Sequence, residues 1–171
     1  IFIANFVDTA TCFTVTTATD FTVEKCEFRD TTSSLNFINI VDTNATNNAA
    51  DGLYFASNRI ISLGTTAATT IIEIDANESR VRVLDNFAVM ADVDNTPIFL
   101  EADTFDLTNL EMAYNIGFRA SDFATAGCLL ETSTTASSGM LHHNHFRVLD
   151  PSSILLITTG SLLGASQNYV Q

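Results

Sequence analysis

Lysine is almost missing from this chain. Its 171 residues hold seven basic side chains, Lys25 and six arginines, against 20 acids, for a net charge of −13. Such a field repels phosphates and excludes a nucleic-acid-binding role. It suits a saline extracellular setting or the binding of cations. Cysteine is scarce and odd in number. Cys12, Cys26 and Cys128 lie far apart among apolar neighbours, which reads as thiols filling a core, not as a disulfide frame or a metal site. The two prolines, Pro97 and Pro151, each stand just before an apolar stretch, where a missing donor does least harm to a strand. No apolar run approaches the ~20 residues of a membrane span, so no membrane insertion is expected. No signal peptide is evident, and Ile1 in place of Met reads as a processed or partial chain. Tight hairpin turns are nearly absent too, Asp51-Gly52 being the sole Asn-Gly or Asp-Gly pair. That weighs against an antiparallel β-sandwich, the alternative all-β fold. Neither a Gly-x-Ser-x-Gly elbow nor a glycine-rich phosphate loop occurs.

What is present is alternation. Hydrophobic residues make up 46% of the chain and charged ones 16%, which is enough apolar material for residues 1–171 to form a single domain with a sizeable core. Val, Ile, Phe, Thr and Leu alternate with polar residues at a period of two, and no helical period persists beyond a turn or two. Two kinds of strand recur. First strands lie at 12–16, 35–39, 71–75, 98–103, 129–132 and 154–158; second strands lie at 21–28, 53–60, 81–87, 105–110, 141–146 and 162–169. Five of the six second strands carry an asparagine: Asn58, Asn86, Asn109, Asn144 and Asn168. The first has Lys25-Cys26 there instead and reads either as a capping coil or as one placed in the wrong register.

Taking Thr16, Asn39, Glu73, Glu101, Glu131 and Ile157 as one column gives repeats of 23, 34, 28, 30 and 26 residues. The gap from each asparagine position, with Lys25 standing for the first, to the next column member is 14, 15, 15, 22 and 13. The outlier implies a seven-residue insertion before Glu131, and the polar stretches 43–51 and 114–127 are expected as loops. A bend between parallel strands leaves backbone groups unpaired, and an inward amide can bond both the bend and the amide one coil away. In this pattern the chain resembles the right-handed parallel β-helix (pectate-lyase-like) superfamily, whose coils carry such asparagine ladders. The resemblance implies an all-β, single-stranded right-handed parallel β-helix of about six coils.

Chemistry concentrates in the acids. Alternation places Glu73 and Asp75 on one strand face, with Glu101 and Asp103 likewise and Glu131 in the same column. Carboxylates on neighbouring rungs at ~5–9 Å are what glycoside hydrolysis needs, which makes Glu73, Glu101 and Glu131 the catalytic candidates. Glu73, Asp75, Glu101 and Asp103 could instead hold Ca²⁺. The plainer reading is a solvated acidic face. His142, His143 and His145 form a weak metal set, since alternation sends His142 opposite to the other two; they read as structural residues around Asn144.

Within the family it resembles, the low charge, Thr/Asn/Ala-rich composition and short length are similar to phage virion modules. The expectation is a non-enzymatic structural or attachment protein at a virion surface or outside the cell, such as a capsid-decorating or tail fibre or spike module. Its partners would be virion proteins, further copies of itself or surface glycans. No cofactor is expected beyond a possible Ca²⁺. The alternatives are a polysaccharide-degrading enzyme, although no Arg or Lys stands beside the acids to act as a lyase base, and a Ca²⁺-dependent adhesin. The exposed end strands near 1–6 or 161–170 are expected to be covered by a partner.

Overall fold

The structure is a computed structural model that describes residues 3–6, 13–15, 20–30, 38–41, 52–62, 71–75, 77–90, 99–102, 105–119, 127–132, 137–148, 154–157 and 162–170. All regular structure among them is β-strand. The first sheet stacks seven strands in the order β1 (Ile3–Phe6), β4 (Glu27–Asp30), β7 (Arg59–Ser62), β11 (Phe87–Met90), β15 (Ile116–Arg119), β18 (His145–Val148) and β21 (Tyr169–Val170). The second stacks β2 (Phe13–Val15), β5 (Ile38–Val41), β8 (Ile72–Asp75), β12 (Leu100–Ala102), β16 (Gly127–Thr132) and β19 (Ile154–Ile157). The third stacks β3 (Phe21–Glu24), β6 (Leu53–Ala56), β10 (Arg82–Leu84), β14 (Leu110–Ala113), β17 (Ser138–His142) and β20 (Leu162–Ser166). A small fourth sheet pairs β9 (Glu78–Ser79) with β13 (Leu107–Thr108).

Every pairing among the described strands is parallel. The antiparallel sandwich is therefore set aside. From β2 onward the chain visits the second, third and first sheets in the same rotation six times. It returns to each sheet only after leaving it for the other two, which forces parallel pairing and removes any need for tight hairpin turns.

Alternation sets what is buried. In β6, Leu53 and Phe55 are buried and Tyr54 half-buried; in β8, Ile72 and Ile74 are buried while Glu73 and Asp75 are half-buried. The inward residues of all three sheets join one cluster: Phe28, Ile60 and Phe146 from the first, Ile72, Ile74 and Leu100 from the second, Val23, Phe55, Val83 and Leu141 from the third. Burying each such side chain contributes ~1.5–3 kcal/mol.

Each round uses three principal strands where the sequence predicts two. The expected second strand 53–60 breaks at Ser57-Asn58 into β6 and β7, and 21–28, 81–87, 141–146 and 162–169 break at the equivalent place, whereas 105–110 breaks at Asn109, before β14. Alternation resumes after a two-residue corner with its phase shifted by one, Val83 and then Asn86 and Ala88 being buried, so the two strands read as one apolar-alternating stretch. The expected loop 114–127 likewise contains strand β15, and Gly127 opens β16. Gly117 hides β15: it takes the inward position, where a Cβ would sit 3.0 Å from the Phe146 ring and 3.2 Å from the Phe99 ring. Two phenylalanines from elsewhere fill the space that an apolar residue on β15 would have signalled. The stretch 43–51, Pro97, Pro151 and Cys12 lie outside the described residues. Cys26 is a half-buried free thiol packed against the core.

Gly139 shows how closely rounds approach. It pairs with Leu110 at a φ of +150°, and an added Cβ would lie 2.1 Å from the Leu110 carbonyl oxygen. Gly164, one round further on, has only ordinary contacts at 3.8 Å. Gly139→Ala is expected to lower the urea-unfolding free energy by at least ~2 kcal/mol, and Gly164→Ala to stay within ~0.5 kcal/mol.

Candidate functional site

The polar feature built most completely is the corner between the third and first sheets. Each round turns there through two residues. The first is left-handed: Lys25 (φ 54°), Ser57 (53°), Asp85 (54°), Tyr114 (58°), His143 (55°) and Gln167 (53°). The second is Cys26, Asn58, Asn86, Asn115, Asn144 or Asn168. The left-handed residue turns the chain but takes the following N–H and C=O out of the ladder between sheets, so other groups must satisfy them.

Asparagine does this with both halves of its amide. The backbone N–H groups of Cys26, Asn58, Asn86, Asn115 and Asn144 each donate to Oδ1 of the asparagine one round on, at 2.9–3.1 Å. The Nδ2 groups of Asn58, Asn86, Asn115 and Asn144 donate to that same oxygen at 2.9–3.1 Å. Every ladder Nδ2 also donates backwards to a carbonyl, those of Val23, Phe55, Val83, Met112 and Leu141 in turn, at 2.7–3.0 Å. The neighbouring main chain completes the set: Phe87 N–H donates to the Asn58 carbonyl at 2.9 Å and Ile116 N–H to the Asn86 carbonyl at 2.8 Å. Asn58, Asn86, Asn115 and Asn144 are buried.

The expected ladder names four of these asparagines and one wrong residue. Asn109 is exposed, left-handed (φ 57°) and placed at the other corner, before β14, with its N–H 3.4 Å from Ser138 Oγ. Both corners accept asparagine, for different reasons: the ladder corner needs its amide, and the other, occupied also by Asp20, Gly52 and Arg80, needs only its tolerance of the left-handed region. The sequence does hold the signal that separates them. Measured from Asn115, Glu131 is 16 residues away, which matches the other gaps and removes the supposed insertion. In the first round Cys26, not Lys25, occupies the ladder position, and its N–H joins the ladder at 2.9 Å.

The acids fall into register. Asn39 pairs with Glu73, Glu73 with Glu101 and Glu101 with Glu131 along β5, β8, β12 and β16. The column differs at its ends, where Thr14 pairs with Asn39 and Ile157 with Leu130; the apolar residues align with apolar partners, and that fixes the parity. Glu73 and Asp75 are half-buried, and Asp75 pairs with Val41. Asp103 lies outside the described residues. Among the described residues no three His, Cys, Asp or Glu side chains gather as a metal set.

The histidines regroup because the corner interrupts alternation. His142 and His143 come together, Nδ1 to Nδ1 at 2.9 Å, with Glu111 3.6 Å from His142 Nε2. Tyr114, one round earlier at the same corner, stacks on His143 at 5.0 Å. His145 instead meets Tyr169 edge-on at 4.8 Å, and its buried Nε2 has no hydrogen-bond partner among the described residues.

On the first sheet, Glu27 accepts from Arg29 Nε and from Arg59 Nη1, the latter at 3.0 Å. The hydrogen bond from Arg29, then that from Arg59, holds its carboxyl below the usual carboxylate value. No family model matches this chain, nor does any curated protein or solved structure.

Two outcomes test this geometry. Asn115→Ala strips the acceptor from two buried donors of Asn86 and is expected to cost ~2–5 kcal/mol in urea unfolding, with faster hydrogen exchange at the Asn86 amide; Asn109→Gly keeps its corner and should change stability by less than ~1 kcal/mol. A depressed Glu27 pKa stabilises the fold fully above the unfolded-chain value, and that contribution is lost as the pH falls through the lower folded value. Arg59→Gln should raise the Glu27 pKa in a carboxyl-carbon NMR titration and move this acid limb upward.

Proposed function

We propose that the three-sheet rotation closes into a single-stranded right-handed parallel β-helix of about six coils, and that it serves as a non-enzymatic structural or attachment element of a phage-type virus particle. The observation that carries this reading is how the interior polar groups are used. The buried asparagines and Ser137, whose Oγ accepts from Leu107 N–H at 2.9 Å, serve the backbone of the preceding round. A rod held in this way supports a load and a surface without needing a catalytic cleft.

The outer face of the first sheet supports a partner-facing role. Ile61, Val89 and Phe118 line up in register there, each half-buried, and Phe87 packs 5.9 Å from Phe118. Contiguous apolar residues on an outer face favour association with protein. Among the described strands the sheets end in β1 to β3 on one side and β19 to β21 on the other, and sheet edges are places where a further copy or another virion protein adds a strand.

The register of Glu73, Glu101 and Glu131 supports a second reading, a polysaccharide-degrading enzyme or a Ca²⁺-dependent adhesin. Incubation with bacterial polysaccharides separates the two. The structural reading expects no reducing ends and no unsaturated uronides; release that disappears in Glu101→Gln would establish the enzyme. A melting temperature unchanged by chelator is expected, and a fall of several degrees would favour the adhesin.

A further inference from the structure

At the ladder corner between β17 and β18, two of the chain's three histidines meet. Adjacent residues of a straight strand point to opposite faces, so a His-His pair there cannot share a ligand. His143, however, is the left-handed residue of its corner (φ 55°), and the turn swings its ring onto that of His142. The two Nδ1 atoms face each other at 2.9 Å, with the ring planes at 85°.

The surroundings hold both rings. His142 ends β17, and its register partners on the rounds before and after are Ala113 and Ser166, whose small side chains leave room for an imidazole. Only 19% of its side chain is exposed, and its Nε2 lies 3.6 Å from Glu111 Oε1. That is too long for a hydrogen bond, but the carboxylate still favours the N–H on that nitrogen. The lone pair of His142 Nδ1 is thereby left aimed at His143. Tyr114, at the same corner one round earlier, stacks on the His143 ring at 5.0 Å and meets His142 edge-on at 5.7 Å.

Without an ion, His143 Nδ1–H donates to His142 Nδ1. The spacing also has a second use. Two imidazole nitrogens 2.9 Å apart, each at ~2.0–2.1 Å from one metal, subtend about 90° at it. This is the cis angle of square-planar and octahedral sites; a tetrahedral site would set the nitrogens about 3.3 Å apart.

We propose that His142 and His143 chelate one late transition-metal ion, Ni²⁺ or Cu²⁺, through their Nδ1 atoms, with water in the remaining positions. These ions favour the cis angle and stand highest for nitrogen ligands in the divalent series. Binding replaces the hydrogen bond: the His143 proton moves from Nδ1 to Nε2 through solvent, which the exposed residue reaches, and no net proton is released. The net charge of −13 favours the approach of a cation. Among the described residues no third His, Cys, Asp or Glu side chain joins the pair. The ion therefore exchanges freely, and the chain without added metal melts alike with and without chelator. The site stands independently of the virion reading.

The test is an amide NMR titration of the whole, untagged chain with Ni²⁺, used because Cu²⁺ oxidises thiols and Cys26 is free. Saturable paramagnetic broadening centred on Tyr114, His142 and His143 is expected, with a rise in melting temperature at saturating Ni²⁺. His142→Gln and His143→Asn should each weaken binding about tenfold or more; asparagine suits the left-handed corner, so the second variant keeps the fold. His145→Gln should leave the affinity unchanged, since His145 lies past the corner against Tyr169. The proposal is overturned if the broadening centres elsewhere or if His143→Asn binds Ni²⁺ like the parent chain. A melting temperature unmoved by saturating Ni²⁺ would also overturn it, marking an adventitious ion only.

Discussion

One hydrogen bond organises this molecule: a backbone N–H at the corner of one round donating to the side-chain oxygen of an asparagine in the next. Turning a strand through a left-handed residue takes main-chain groups out of the sheets on either side, and burial makes each unpaired group cost ~1–3 kcal/mol. Asparagine supplies an acceptor and two donors on a side chain short enough to stay in line with the backbone. Aspartate would lose the donors, and glutamine is longer by a methylene. Because each Nδ2 also donates to the next Oδ1, the bonds form a chain in which every member polarises its neighbours. The first and third sheets inherit their mutual register from this line.

The ladder explains why repeat length varies without spoiling the stack. Successive ladder members are 32, 28, 29, 29 and 24 residues apart, yet the strands flanking the corner stay paired through all six rounds. Extra residues are taken up away from the corner, where loop length adds only slowly to the entropy of closure. The second corner follows a looser rule. It asks for left-handed tolerance, met by Asp20, Gly52 and Asn109, and uses serine side chains, Ser137 and Ser138, as substitute acceptors.

The interior and the surface therefore divide the work. The buried asparagines and the core cluster serve stability. The polar chemistry lies at register positions that the stack holds at fixed spacing: the acids on the second sheet, Arg82 and Tyr54 on the third, and Tyr114 with His142 and His143 along the ladder corner. A stack of parallel rounds turns residues about 30 apart in sequence into neighbours one rung apart.

The sequence by itself determined the strand content, the recurrence of the unit and most of its register. A period of two is imprinted wherever one strand face is buried, and constant spacing brought Glu73, Glu101 and Glu131 into one column. Four of the five ladder asparagines were legible for the same reason. The tertiary structure identified Asn115 in place of Asn109, which the 16-residue spacing to Glu131 also marks; hydropathy along one strand does not reveal which corner has buried its amide. It also decided the third strand of each round, hidden by a two-residue corner that shifts alternation by only one position and, in β15, by Gly117 yielding its space to Phe99 and Phe146. The pairing of His142 with His143, and the gathering of Arg80 and Arg82 around Gly52, arise from left-handed turns and from contacts between rounds. These are long-range properties that local pattern does not encode.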